Sequence, residues 1–247
     1  MKHILVTGAT GGLGRAVVGL CLDQSHQVTG LYRKNAARAE ALRSEHAGAR
    51  SRLDLRQVDL RDLATTTRVA RELAESRTWD ALIHLSAAPV ELLPLSKQVW
   101  DCFEIQWQTM VRGAVLLTQA ILPGMKRQRR GHLIYCLSAV TLGPAPKGMV
   151  AYTTAKYGLW GFVRTVAGEC AGTGISVNAV SPGPMETGLL ENLPEIAKAQ
   201  LRSSSPSGEF LDPAIVAKAI LRLLDTPSSS LYDANIPVLA SKISPSR

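Results

Sequence analysis

Short apolar runs rich in β-branched residues recur along the chain, and a helical pattern follows almost every one. HILVT leads into a helix from about Gly12, QVTGLY precedes the alanine-rich AARAEALRSEH, and RLDLRQV precedes a helix around Leu63 to Glu75. DALIHLS precedes a long helix from about Gln98 to Met125, and HLIYCLS one from about Val150 to Ala171. ISVNAVS is followed by a polar excursion, a helix near Pro213 to Leu224 and the short run NIPVL. Strands spaced by helices specify a parallel sheet with helices on both faces. Seven such strands predict one α/β domain over residues 1–247, a doubly wound parallel sheet. Ligands of such sheets bind beyond the strand C-termini, where the strand order reverses.

The 46% hydrophobic and 19% charged composition is that of a globular protein. No apolar run approaches the roughly 18 residues of a membrane span. MKHILVTG stops at Gly8, too soon for a secretory signal, so a cytoplasmic location is expected and no membrane partner. Cys21, Cys102, Cys136 and Cys170 form no Cys-x-x-Cys pair and the five histidines no H-x-x-x-H pair, so no metal is expected. The net charge is +8, with its densest cluster at Lys126, Arg127, Arg129 and Arg130. No helix-turn-helix, zinc-finger or RNA-binding signature accompanies it, so nucleic acid is not an expected partner.

VTGATGGLGRAV places Gly8, Gly12 and Gly14 between the first strand and the first helix. Glycines there let the backbone turn sharply and approach a pyrophosphate, and the helix N-terminus supplies donors and a favourable dipole. The spacing, T-G-x-x-x-G-x-G, differs from the G-x-G-x-x-G of other dinucleotide folds. The second strand ends in Leu31, Tyr32, Arg33, Lys34 and Asn35, with two cations and no acid. An acid there would bind ribose hydroxyls and repel a 2′-phosphate, whereas Arg33 can donate charge-assisted bonds to one. The expected cofactor is NADP(H).

SAVTLGPAPKGMVAYTTAKYGLWGF carries a serine, two tyrosines and a lysine. Tyr152 and Lys156, four apart, share one face of a helix, and the ammonium should lower the phenol's pKa. Ser138, at the end of the fifth strand, can bond a substrate oxygen as charge develops on it. Tyr157 has Gly161, not lysine, four residues on, and is assigned to packing.

Thr7 to Gly14 resembles the cofactor fingerprint of the classical short-chain dehydrogenase/reductase family, and the likeness runs from Val6 to about Val238. The resemblance implies a Rossmann fold and carries Thr10 and Leu13 into the cofactor set with the glycines. Asp59 and Leu60 are similar to the pair that meets the adenine ring. HLSAA, with Ser86 and Ala87, stands where the family has Asn-Asn-Ala-Gly. Pro182, Gly183 and Thr187 resemble the turn beside the nicotinamide amide. Ser138, Tyr152 and Lys156 match the catalytic set, Lys156 also reaching the nicotinamide ribose.

The family's fourth residue, an asparagine holding a relay water, falls at Met110, three residues before Gly113. Gln106 and Gln108 are the nearby candidates for its role, though neither is on the right face by helical spacing. Ser138 to Tyr152 is one residue longer than the usual spacing, an insertion around GPAPKG.

Residues 185–210 match the family's variable substrate lid, with a short helix expected in GLLENLPEIAKAQL. The cluster Lys126 to Arg130 lies where relatives resembling 3-oxoacyl-(acyl-carrier-protein) reductases present basic residues to an acyl carrier protein. It equally suits a solvated helix C-terminus. The tail lacks the family's Thr-Gly and Gly-Gly, which touches the usual assembly as a homodimer or homotetramer. The resemblance implies an oxidoreductase in which hydride from NADPH reduces a ketone, including a 3-oxoacyl thioester, to the alcohol. The alternative is an NADP(H)-binding partner subunit, with little or no activity of its own, in a hetero-oligomer with a sister subunit.

Overall fold

In the computed structural model, which describes residues 1–203, 205, 207–227 and 233–240, each apolar run forms a strand. β1 (His3–Thr7), β2 (Gln27–Tyr32), β3 (Leu53–Gln57), β4 (Ala81–His84), β5 (Gly131–Cys136), β6 (Ile175–Pro182) and β7 (Asn235–Val238) make one sheet. All neighbours pair in parallel, in the order β3-β2-β1-β4-β5-β6-β7. The chain winds outward from β1 to β3, then returns to β4 beside β1 and winds the other way. The reversal therefore lies between β1 and β4, where Leu5 pairs with Leu82 and Thr7 with His84.

The connecting helices are α1 (Gly12–Asp23), α2 (Ala36–Glu45), α3 (Leu63–Ser76), α4 (Trp100–Trp107), α5 (Gly113–Gln128) and α6 (Val150–Cys170). α7 (Glu195–Ser203) and α8 (Pro213–Asp225) complete the set among the described residues. The two-residue period of the strands divides their side chains between two cores. Ile4, Val6 and Ile134 face α1, α2 and α8, joining Val17, Leu42 and Ile220. Leu5, Leu133 and Tyr135 face the other way and join Leu73, Leu117 and Leu159 of α3, α5 and α6. Each fully buried leucine or isoleucine contributes about 1.5–3 kcal/mol.

Two segments depart from the sequence reading. The expected helix from Gln98 to Met125 is split: a π-helical turn, Gln108–Arg112, separates α4 from α5. The helix expected in GLLENLPEIAKAQL begins only at Glu195. Pro194 explains the late start, because proline is tolerated at a helix entry and excludes helix in the residue before it. Among the described residues no helix is long and apolar enough to cross a membrane, and no cluster of His, Cys, Asp or Glu could hold a metal ion.

Candidate active site

The strand reversal opens a cavity of about 590 Å³ at the C-terminal edge of the sheet. Its floor is the turn from β1 to α1. Gly8 sits at φ +69°, a left-handed conformation that side chains resist, with Ser86 backbone atoms 3.3 Å from where a Cβ would stand. A Cβ at Gly14 would collide with the Gly8 carbonyl oxygen, so that position closes to anything larger. α1 starts without a side-chain cap and without an acid in its first turn, which leaves its first N–H groups and positive dipole end for an anion.

Thr7 ties this turn to β4. Its Oγ1 accepts from the Leu85 and Ser86 amides, each at 3.1 Å, and lies 3.0 Å from His84 Nδ1. With both acceptor positions taken, the hydroxyl proton points to Nδ1, and His84 Nε2 carries the ring proton. That N–H donates to the Met110 carbonyl at 3.0 Å. Burial, with the charge of Lys156 acting the same way, pushes the His84 pKa down to about 3. The ring is neutral.

Every sequence-predicted cofactor residue lines the cavity: Gly8, Thr10, Gly12, Leu13 and Gly14 from the turn, Arg33, Lys34 and Asn35 beyond β2, Asp59 and Leu60 beyond β3, Ser86 and Ala87 beyond β4, and Pro182, Gly183 and Thr187 beyond β6. Their side chains are not equally free. Asn35 caps α2, its Oδ1 accepting from the Arg38 amide at 2.8 Å, so that oxygen serves the helix. Asp59 is clamped by Arg61 at 2.6 Å, and that bond holds its carboxyl below the usual range. Arg38, in the first turn of α2, lines the same wall, and no motif in the sequence singles it out.

Ser138, Tyr152 and Lys156 meet at the opposite end of the cavity. Ser138 follows β5 and caps the short turn Ala139–Thr141, its Oγ accepting from the Val140 amide at 3.4 Å. Thr141 Oγ1 donates to the Ser138 carbonyl at 2.8 Å and stands 3.2 Å from Ser181 Oγ, which donates to Asn235. This hydroxyl chain anchors the serine loop to β6 and β7, and the sequence reading missed it.

Tyr152 and Lys156 occupy the inner face of α6, 7% and 2% exposed, beside Ala151, Ala155 and Leu159. Lys156 Nζ lies 5.5 Å from the Tyr152 ring centre and donates to the Cys136 carbonyl at 2.7 Å. Burial pushes the Tyr152 phenol well above its ordinary value, against the downward pull of its hydrogen bond with Ser138. Burial likewise pushes the Lys156 ammonium down. The direction is opposite to the lowering expected from the nearby lysine, because desolvation dominates the phenol here. Tyr157, half-exposed on the outer face, stands outside the cavity rather than in the core.

Met110 is fully buried in the π-helical turn and its side chain belongs to the core. Neither glutamine takes up the asparagine's place. Gln106 donates to the Pro89 carbonyl at 2.8 Å and Gln108 to Glu104 at 2.7 Å, and neither glutamine lines the cavity. Thr109 does line it, and its Oγ1 is buried without a hydrogen-bond partner among the described residues.

The wall beside Tyr152 is apolar. Pro144 and Pro146 come from the inserted GPAPKG loop, Val90 from the segment after β4, and Leu189, Leu190 and Leu201 from the segment after β6. The basic cluster lies elsewhere. Lys126 to Arg130 end α5 and precede Gly131, the first residue of β5, whereas Ser138 lies beyond the strand's last residue. A strand of that length spans on the order of 17 Å, so the cluster and the cavity are at opposite edges of the sheet. Arg130 pairs with Asp80 at 3.3 Å.

A family model described as short chain dehydrogenase matches residues 2–197. The 3-oxoacyl-(acyl-carrier-protein) reductase FabG of Vibrio harveyi is 30% identical over 227 residues, covering 90% of this chain and 89% of that protein. FabG of Thermotoga maritima is 30% identical over 233 residues, covering 92% of each. Among solved structures, one of a putative betaketoacyl-ACP reductase superposes with a TM-score of 0.81 at 26% identity, covering 97% of both chains. ElxO with NADP bound gives a TM-score of 0.85 at 20% identity, covering 96% of this chain and 97% of that one. The match over most of the chain, the reversed strand order and the glycine-rich turn place this protein in the short-chain dehydrogenase/reductase family.

Proposed function

We propose that the protein is an NADP(H)-dependent reductase that converts a ketone to an alcohol. The observation that carries this reading is the convergence of Ser138, Tyr152 and Lys156 on the cavity that also holds the glycine-rich turn and Arg33. The residues fit the cofactor: a glycine cradle, an uncapped helix start, and cations at the end of β2. When bound, the nicotinamide supplies hydride to the carbonyl carbon.

The chain's own residues do the rest. Ser138 donates a hydrogen bond to the carbonyl oxygen as charge develops on it. Tyr152, kept protonated at neutral pH by its burial, gives its phenolic proton to that oxygen. Lys156, held by the Cys136 carbonyl, stands ready to stabilise the phenolate left behind. The presence of Ser138, Tyr152 and Lys156 together favours an enzyme over a non-catalytic cofactor-binding subunit.

The substrate we propose is a ketone with an apolar body, matched to Pro144, Val90 and Leu190, and residues 185–210 serve as its lid. The FabG relatives make a 3-oxoacyl thioester a natural member of the panel. An acyl carrier protein docked on Lys126, Arg127, Arg129 and Arg130 would face the far edge of the sheet, so delivery from that cluster would need a second copy's cavity. Assembly with further copies is supported by the exposed Trp100, Trp107 and Tyr157 on α4 and α6. The test is NADPH oxidation with a ketone panel, comparing wild type with Tyr152→Phe. A loss of about 10²-fold or more is expected, and undiminished activity in the variant would refute the mechanism.

A further inference from the structure

An ion pair on the cavity wall joins α2 to the segment after β6. Arg38 Nη2 lies 3.6 Å from Glu191 Oε2, and both residues line the cavity. Gly188 lies between them: a Cβ there would meet Arg38 Nη1 at 3.2 Å and Glu191 Oε2 at 3.4 Å. The neighbouring Thr187 covers Gly12, where a Cβ would come within 2.8 Å of Thr187 Cγ2. Residues 187–191 thus close against both the glycine-rich turn and the start of α2.

The charge at the start of α2 is unusual. A helix N-terminus favours acids, yet this one has none in its first turn and gathers Arg33, Lys34 and Arg38 around the Asn35 cap. Arg38 stands three residues after the cap, where a capping box would place Glu or Gln. Three cations at the positive end of a helix dipole need an anion. In this structure the carboxylate from the facing segment is Glu191. Its contact with Arg38 is long and both side chains are about half exposed, 47% and 52%, so the pair is screened and easily exchanged.

We propose that Glu191 stands in for the cofactor's 2′-phosphate. Arg38 holds the Glu191 carboxylate while the phosphate is absent and exchanges it for the phosphate when NADP(H) binds. NAD(H), which has no 2′-phosphate, leaves the pair intact. Glu191 is then a specificity-determining residue acting through Arg38, and the lid's contact with α2 depends on which cofactor is bound. This rests on the NADP(H) reading above.

The test is equilibrium titration of NADPH and NADH by nicotinamide fluorescence, in wild type, Glu191→Gln, Arg38→Gln and the double variant, with thermal melts to establish folding. Removing the competing carboxylate should tighten NADPH about two- to fivefold, the loss of an exposed ion pair that the phosphate must otherwise displace, and leave NADH nearly unchanged. Arg38→Gln should weaken NADPH by about ten- to hundredfold, the loss of a charge-assisted bond, and leave NADH near its wild-type affinity. In the Arg38→Gln background the gain from Glu191→Gln should shrink. An unchanged ratio of NADPH to NADH affinity in Glu191→Gln overturns the proposal. A wild type that binds NADH as tightly as NADPH overturns the cofactor reading instead, and is seen before any variant is compared.

Discussion

Replacing His84 with leucine removes a bridge on which both the turn after β1 and the π-helical turn depend. The imidazole joins Thr7 Oγ1 to the Met110 carbonyl, each contact 3.0 Å, in a site 1% exposed. Leucine fills similar volume and pairs with neither group. The Thr7 hydroxyl proton and the Met110 carbonyl each lose a buried hydrogen bond, at about 1–3 kcal/mol apiece, so the variant should lose about 2–6 kcal/mol. A chain of this size shifts its melting temperature by roughly 2–4 °C per kcal/mol, so the fall should be about 4 °C at the least.

Acid supplies the sharper test. The folded-state pKa of His84 is about 3, below the ordinary 6.5, so the unfolded state binds the proton more readily throughout that interval. The stability tied to the neutral ring is complete above pH 6.5 and is lost as pH falls toward 3. Between pH 7.5 and pH 5, the 1.5 units below 6.5 correspond to about 2 kcal/mol at 1.36 kcal/mol per unit. His132, pushed to about 4 by burial, contributes in the same window and sense, in wild type and variant alike. Urea unfolding at pH 7.5 and pH 5 should therefore show wild type losing about 2 kcal/mol more than His84→Leu. Equal losses in the two proteins would refute both the neutral tautomer and the bridge.

Gly14→Ala should abolish cofactor binding in a titration, because the added Cβ collides with the Gly8 carbonyl and displaces the turn; retained affinity would mean the turn does not hold the pyrophosphate. Asn35→Ala should lower stability by about 1 kcal/mol, the usual cost of an N-cap, measured by urea unfolding. Because burial raises the Tyr152 phenol, the reduction rate should stay level through neutral pH and fall only above about pH 10, as the proton donor ionises. A fall already complete at pH 8 would show that another group sets the rate.

The parts of the fold and site that local pattern determines were legible in the sequence. Strand-helix alternation specifies the parallel sheet because crossovers leave no alternative, and the reversal between β1 and β4 puts the glycine-rich turn at a crevice. Tyr152 and Lys156 share a face because they are one helical turn apart, so their convergence needed no tertiary information. What was hidden depends on contacts between distant segments. The phenol's pKa direction, for one, depended on burial that no spacing reveals. Met110 is the instructive case. Read as a residue type, it stood for a missing asparagine. In the fold its side chain fills the core and its carbonyl accepts from His84, the last residue of β4. The adjoining Thr109 carries a buried hydroxyl on the cavity wall, without a hydrogen-bond partner among the described residues, that no motif would have marked.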